Sequence, residues 1–238
     1  EVKMSLITPK ASLKISPSNS KDNKNEDIQI DNTNIYSLNR AATKSGVEEG
    51  ISLAYGNEFS LFDKKKSLEI LNFKVSNNLR LNENNNLPNN GQIGQKISSV
   101  FNEINYQPTK NIKINYNSSL KNNFEDLNYE EIKTEFKINN IVTSFEYLNR
   151  NENLKTSYIS NTTKLLYDKS NSFLFSTRRN KEISLTEYYN LAYQYENDCL
   201  IASVECDKEY YSDRDLKPSE GITFKLTFIP FQNRNSNF

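Results

Sequence analysis

Apolar and polar residues alternate with a period of two along most of this chain. Between residues 71 and 80, for example, Leu71, Phe73 and Val75 alternate with Asn72 and Lys74. Such alternation is typical of β-strands that have one apolar and one polar face, because an amphipathic helix would repeat every 3.6 residues. The pattern predicts about twelve strands, most of them about 9–13 residues long, enough for a tilted strand to cross a membrane. The predicted strands cover residues 6–16, 50–61, 71–80, 96–106, 112–117, 131–138, 141–150, 154–167, 172–178, 185–195, 199–205 and 222–228.

Two of these segments alternate poorly. Residues 96–106 carry apolar side chains on both faces, with Phe101 on one and Val100 on the other, and residues 154–167 are mostly polar on both. We predict strands there because the spacing between neighbouring strands requires them.

The connections between the predicted strands differ in length according to their order. Short ones cover residues 63–66, 107–110, 139–140, 168–170 and 196–198, and longer or intermediate ones cover 17–49, 82–95, 122–126, 151–153, 179–184 and 212–219. Tight periplasmic turns and longer outer loops alternate in this way in outer-membrane barrels. The order predicts an all-β, antiparallel up-and-down transmembrane β-barrel with both chain ends at the periplasmic side.

One domain over residues 1–238 accounts for this organisation. It would contain a long outer loop at 17–49, a last strand at 221–230 and a short tail at 231–238. The chain starts at Glu1 without the charged and apolar regions of a signal peptide, so we expect it to be part of a longer protein.

Composition narrows the range of functions. The formal net charge is +0, which gives no basic face for nucleic acid. There is no histidine, which excludes Ser-His-Asp and Cys-His catalysis and histidine-ligated metals. We therefore expect no enzyme and no cofactor. The 37 Asn residues suggest disorder, but 14 Tyr and 13 Phe argue against it and favour a barrel with a hydrated interior.

The polar faces of the middle strands carry charges of both signs. Burying such faces in a dry core would cost several kcal/mol for each unpaired charge, so we prefer lipid outside and water inside to a soluble two-sheet protein. The same charges would also be expected on a lumen wall that is merely solvated and has no specific function. The charges expected to face the lumen are Lys113, Glu131, Lys133, Glu135, Lys137, Glu146 and Arg150.

Two blocks of sequence resemble the LptD (OstA) family of outer-membrane lipopolysaccharide-assembly proteins. The C-terminal block contains the Tyr-rich strand at 185–195, the turn around Cys199, the stretch 213–218 (DRDLKP) and the final strand. The other block, at 34–56, contains 37–40 (SLNR), Gly46, Gly50 and Gly56. The family often has an Asp-Arg pair after the first of these glycines, where this chain has 47–49 (VEE).

The resemblance implies transport of lipopolysaccharide into the outer leaflet of the outer membrane of a Gram-negative bacterium. It also implies that the chain is the C-terminal part of a larger barrel and that the lipid leaves through a lateral seam. The final strand would form one side of that seam, through Ile222, Phe224, Leu226, Phe228 and Pro230. Pro230 cannot donate to the strand ladder, which would loosen the periplasmic end of the strand.

The same resemblance implies partners. Cys199 would form a disulfide with an N-terminal periplasmic domain outside this chain, in an oxidising compartment. Cys206 lies too far along the same strand to bridge it and is interpreted as a small apolar residue. The implied partners are lipopolysaccharide, outer-membrane lipid, an LptE-like lipoprotein plug, a periplasmic bridge protein reached through the N-terminal domain, and the barrel-assembly machinery.

Two alternatives remain open from the sequence. The first is a complete twelve-stranded outer-membrane pore or autotransporter translocator, in which the first and last strands would pair with each other. The second is a soluble, Asn-rich adhesin β-domain.

Overall fold

The computed structural model describes residues 3–17, 22–24, 28–40, 48–151, 155–210 and 219–229, and it is all-β. The predicted strands are all present, so the period-two interpretation is confirmed. They are β1 Lys3–Ser16, β2 Gly50–Asp63, β3 Leu68–Arg80, β4 Val100–Thr109, β5 Ile112–Leu120, β6 Leu127–Ile138, β7 Ile141–Arg150, β8 Thr156–Leu166, β9 Asn171–Asn180, β10 Leu185–Glu196, β11 Leu200–Glu209 and β12 Ser219–Phe228. A short 3-10 turn lies at Asn90–Gln92.

The strands form one sheet in sequential order, from β1 to β12. Neighbours pair antiparallel in long registers, for example from Lys3↔Asp63 to Ser16↔Gly50 between β1 and β2. This is the up-and-down topology predicted from the connections. Within the described residues, the sheet order gives β1 and β12 one neighbour each.

The chain divides into two compact units. The first comprises Glu1–Thr134 and Tyr147–Ser157, and the second comprises Glu135–Glu146 and Tyr158–Phe238. In the first unit, apolar side chains of β1 are exposed on one face, among them Ile7 at 68% and Leu13 at 65%. On the opposite face of this unit, Ser52, Ser76 and Asn78 are buried. This arrangement is inverted relative to a soluble protein, in which the apolar face of a sheet is the buried one.

The second unit also exposes its apolar face. Leu191 on β10 is 52% exposed and Phe224 on β12 is 75% exposed. Aromatic rings on this face contact one another, because Phe173 and Tyr193 lie with their centroids 5.2 Å apart and Phe175 and Tyr189 lie 6.5 Å apart. The apolar residues of β9–β12 therefore form a continuous exposed surface.

Several predicted boundaries were wrong. The fourth strand begins at Val100 and not at residue 96, because residues 81–99 fold as a loop in which only Leu79↔Ile97 forms an isolated bridge. The last strand is described over Ser219–Phe228, where the sequence predicted 221–230. Pro230, the tail 231–238, the stretch 213–218, Gly46 and parts of the loops 17–49 and 151–153 lie outside the described residues.

Within the part of the chain that the structure describes, no helix has the length and the apolar character needed to cross a bilayer.

Candidate functional site

Residues 28–40, here called the docked segment, lie on the polar face of the first strands. Ser12 Oγ on β1 lies 3.5 Å from the carbonyl oxygen of Tyr36, and Ser76 Oγ on β3 donates to Asn32 Oδ1 at 2.5 Å. Asn90 Nδ2, from the loop between β3 and β4, donates to the Ile28 carbonyl at 3.0 Å. A segment predicted only as part of an outer loop thus covers part of this face.

A small hydrophobic core holds the docked segment in place. Ile30 and Ile35 from the segment, with exposures of 1% each, pack with a few apolar residues that lie on the polar side of the sheet. The remaining members of this core are Ala54, Leu87, Ile93 and Phe101. Phe101 explains why the predicted fourth strand has apolar residues on both faces, since its ring belongs to this core and not to the exposed apolar face.

Two glycines make room for the packing. Gly91 has a φ of +63°, and a Cβ there would lie 2.7 Å from the Phe101 ring. A Cβ on Gly56 would collide with the Val75 carbonyl oxygen and with the Tyr36 hydroxyl. Gly56 in the family-like block therefore lets Tyr36 approach the backbone of β3.

A buried ion cluster closes the other end of the docked segment. The Glu48 carboxylate accepts hydrogen bonds from Lys14 Nζ at 2.9 Å, Arg40 Nε at 3.0 Å and Arg80 Nη1 at 2.5 Å. All four side chains have exposures of 8% or less. The cluster joins β1, the docked segment, the residue pair before β2 and the end of β3.

Three cations surround one carboxylate in this cluster, so neutral groups must satisfy the remaining donors. Arg40 donates to Asn78 Oδ1 at 2.6 Å and to Ser52 Oγ at 2.8 Å, and Arg80 donates to the Glu49 carbonyl. Buried guanidinium groups require such partners, because an unpaired buried charge is costly. The cluster is therefore a closed structural element, with its donors directed at protein acceptors.

The carboxylate at its centre stays ionised. Burial alone would raise the pKa of Glu48, but hydrogen bonds and positive charge from Arg40 and Lys14 outweigh burial and lower the pKa to about 2. Burial raises the pKa of the Tyr36 hydroxyl, although a hydrogen bond with Ser76 opposes this effect. At neutral pH, Glu48 is an anion and Tyr36 is neutral.

The charges predicted to face the lumen occupy different surroundings. Glu131 is buried, accepts a hydrogen bond from Asn117 Nδ2 at 3.0 Å and forms an ion pair with Lys133 at 2.6 Å. Glu131 and Lys133 border a cavity of about 350 Å³. Lys113 borders a separate cavity of about 130 Å³. Glu135 and Lys137, at the far end of β6, are exposed. Glu131 and Lys133 thus meet at one cavity, whereas Lys113 belongs to another.

The two charges predicted on β7 contact aromatic residues. Glu146 accepts a hydrogen bond from the Tyr158 hydroxyl at 3.1 Å, within the second unit. In the first unit, the Arg150 guanidinium lies 5.8 Å from the centre of the Tyr129 ring, a cation–π distance.

Cys199 lies in the turn between β10 and β11. Its backbone N–H donates to Asn197 Oδ1 at 2.9 Å, and its carbonyl accepts from the Ile229 N–H at 2.9 Å. Cys206 lies on the exposed apolar face of β11, opposite Leu191 and Ile222. Both cysteines are free thiols, and Cys199 is half-buried.

The side chains predicted to form the seam lie on the apolar face of β12. Ile222, Phe224, Leu226 and Phe228 face outward and are all well exposed. Their strand pairs with β11 from Leu200↔Phe228 to Glu209↔Ser219. Pro230 lies beyond the described part of this strand.

Reasoning from local sequence missed the docked segment and the ion cluster. Tyr36, Arg40 and Glu48 belong to the block at 34–56 that carries the family resemblance. Their partners Ser12, Asn78 and Lys14 are 24 to 38 positions away in the chain. Periodicity reports only near neighbours, so it holds no information about these contacts.

Comparison with known proteins adds a family assignment to this geometry. Residues 4–196 match the family model of LPS transport system D, LptD, which covers most of the chain. A search among curated proteins finds no match.

Proposed function

Because this chain belongs to the LptD family, LPS transport system D, we propose that it forms part of the barrel wall through which lipopolysaccharide enters the outer leaflet of the outer membrane. The family match over residues 4–196 carries this proposal. The role is transport and assembly rather than catalysis.

The faces of the sheet support a position in a membrane. In the first unit, apolar side chains such as Ile7 are exposed, while polar side chains such as Ser76 and Asn78 are buried on the opposite face. In the second unit, Phe224 is exposed in the same way. An outer-membrane barrel needs this arrangement, because its outer face contacts lipid and its inner face contacts water or polar groups. In the proposal, the polar face lines the lumen along which the glycan passes.

The acyl chains would leave through a lateral seam beside β12. The observation that motivates this step is the exposed row of Ile222, Phe224, Leu226 and Phe228 on a strand with one described neighbour. An opening seam needs weak strand pairing, because unpaired backbone groups in lipid cost several kcal/mol each. If replacing Pro230 left both lipopolysaccharide transport and a crosslink across the seam unchanged, Pro230 would have no part in opening the seam.

The partners in this proposal follow from the family. They are lipopolysaccharide, a lipoprotein plug, a periplasmic bridge protein that reaches the barrel through an N-terminal domain, and the barrel-assembly machinery. Within the barrel, the chain would supply the C-terminal strands.

Cys199 is proposed to form a disulfide with that N-terminal domain. Cys199 lies in a turn at the end of the strands, where a cysteine of a periplasmic domain could reach it. Cys206 instead faces the apolar side of the sheet. We expect Cys199→Ser in the full-length protein to shift its mobility on non-reducing gels to that of the reduced form. Cys206→Ser is the matched control and should leave the mobility unchanged, and the reverse pattern would contradict the assignment.

Depletion of the full-length protein tests the function itself. We expect newly made lipopolysaccharide to stop reaching the cell surface, as measured by surface labelling, while other outer-membrane barrels still assemble. A passive pore predicts a different outcome, in which purified protein conducts ions steadily in a planar bilayer and depletion leaves surface lipopolysaccharide unchanged. That outcome would overturn the proposal.

A further inference from the structure

A polar cavity lies between the docked segment and strands β4–β6. Its volume is about 350 Å³, at the lower end of the range of about 300–1,000 Å³ in which proteins bind small ligands. Residues 29–33 of the docked segment form one wall, and side chains from the three strands form the other. The whole cavity belongs to the first compact unit.

Amide groups dominate the strand wall of this cavity. Asn105 Nδ2 donates to Glu103 Oε1 at 2.7 Å, Asn117 Nδ2 donates to Glu131 Oε2 at 3.0 Å, and Asn115 donates to Asn105. Each amide or carboxylate oxygen has two lone pairs, so this network keeps acceptor capacity after its internal bonds are made. The wall therefore presents fixed acceptors to hydroxyl groups.

Two buried acceptors at the cavity have no partner among the described residues. Ser119, which is 1% exposed, lies on the same face of β5 as Asn115 and Asn117, and its Oγ makes no hydrogen bond there. Gln29 Oε1, from the opposite wall, is also buried and has no hydrogen-bond partner among the described residues. An unsatisfied buried polar group costs about 1–3 kcal/mol, so a polar occupant would stabilise this place.

The charges at the cavity argue against an anion or a metal. The carboxylates of Asp31, Glu103 and Glu131 border it, and its one lining cation, Lys133, already pairs with Glu131. Glu103 is paired with Lys74 at 2.8 Å. A phosphate would meet net negative charge, and the described residues include no group of three acidic, histidine or cysteine side chains that could hold a metal.

We infer that this cavity is a subsite for one neutral sugar unit of a glycan. Asparagine and carboxylate acceptors match the hydroxyls of a sugar ring, and the half-buried Tyr129 supplies aromatic surface for its carbon face. The inference rests on the proposed function, in which the glycan of lipopolysaccharide passes along this face. It places a specific contact at the boundary between the docked segment and β4–β6.

The test uses the full-length protein in detergent and the lipid-free core oligosaccharide released from lipopolysaccharide by mild acid. Binding is measured by saturation-transfer NMR and titration calorimetry. Ser119→Leu would fill the cavity, and we expect it to weaken binding about tenfold or more, a loss of about 1.4 kcal/mol. Ser172→Leu makes the same substitution at another buried serine, outside this cavity, and should leave the affinity unchanged.

A second variant guards against failure of Ser119→Leu to fold. Asn115→Leu replaces a half-buried amide at the same wall and should weaken binding in the same way. The subsite is overturned if the wild-type protein does not bind the oligosaccharide, if both leucine variants at the cavity bind it normally, or if inorganic phosphate competes with it.

The outcomes separate this inference from the proposed function. If depletion abolishes surface lipopolysaccharide but the oligosaccharide does not bind, the transport role stands and the subsite falls. If the oligosaccharide binds at the cavity but depletion leaves surface lipopolysaccharide unchanged, the subsite stands and the transport role falls.

Discussion

Glu48 is the residue on which most of the buried charge of the first unit depends. Its carboxylate contacts Lys14, Arg40 and Arg80, and all of these side chains are almost fully removed from solvent. Three neighbouring cations without an anion would repel one another in a medium where solvent screens them poorly.

We expect Glu48→Gln to lower the free energy of unfolding by about 3–5 kcal/mol, because it leaves buried cations without their counter-charge. The measurement is urea unfolding of the full-length protein in detergent. Glu205→Gln removes one partner of the exposed pair with Lys225 and should cost about 0–1 kcal/mol. Equal losses in the two variants would contradict a special role for Glu48.

Acid should weaken the same cluster. The pKa of Glu48 is lowered from 4.5 to about 2 in the folded protein, so its contribution to stability is complete above 4.5 and is lost as the pH falls towards 2. Between about pH 6 and about pH 3, we expect the wild-type protein to lose on the order of 2 kcal/mol more than Glu48→Gln, which lacks this titration. If the free energies of unfolding of the two proteins changed in parallel with pH, this prediction would be refuted.

At the scale of elements, the docked segment is an addition to a regular strand meander. It is held by the small core around Ile30 and Ile35, by Tyr36 above Gly56, and by Arg40 at the ion cluster. None of these contacts is part of the strand ladder, so we expect the segment to open locally while the backbone pairing of β1–β4 persists.

We expect Ile35→Ala to release the docked segment locally, because removing buried methyl groups costs about 2–5 kcal/mol. The rate of protease cleavage within residues 28–40 of the folded full-length protein should rise, since cleavage requires local opening. Leu38, in the same segment, is 84% exposed, and Leu38→Ala should leave this rate unchanged. If Ile35→Ala were no more sensitive than Leu38→Ala, the core would not hold the segment.

The strands themselves were predictable because their pattern is local. In most strands each side chain alternates with its immediate neighbours, and this sufficed to predict them. The fourth and eighth strands alternate poorly and were predicted from the spacing between their neighbours. Residues 96–99 were predicted as strand and are loop, because Ser98 and Ser99 serve long-range contacts, with Ser98 Oγ accepting from the Asn78 N–H at 2.9 Å. The docked segment, the ion cluster and the cavity at Ser119 depend on partners from distant parts of the chain, which a period cannot reveal.

At the scale of the whole molecule, each compact unit presents apolar side chains outward and polar side chains on the other face. Charged stripes exposed to lipid, or a second sheet stacked on the polar face, would have opposed the membrane interpretation. Among the described residues, the layer on the polar face of the first unit is the docked segment with its neighbouring loop, and it is held by a small hydrophobic core together with polar contacts.

Adjacent residues on β10 test which face contacts lipid. Leu191→Lys would place a charge on the apolar face near the middle of the strand, and we expect a loss of about 2–4 kcal/mol. Asn190→Lys would place the same charge on the polar face beside Asp207, with which Asn190 already forms a hydrogen bond, and should be tolerated. Urea unfolding in lipid vesicles measures both, and a larger loss for Asn190→Lys would reverse the assignment of the faces.

The ion cluster also bears on how the chain reaches its final state. Lys14 on β1 and Arg80 on β3 meet Glu48 only when the first three strands are aligned as Ser16↔Gly50 and Ser52↔Arg80. A register shift of one residue exchanges the two faces of a strand. Such a shift would move Lys14 to the apolar face, and the Glu48 carboxylate would lose one of its counter-charges. The native register is therefore favoured over its neighbours, because it is the alignment that brings the buried cations to the Glu48 carboxylate.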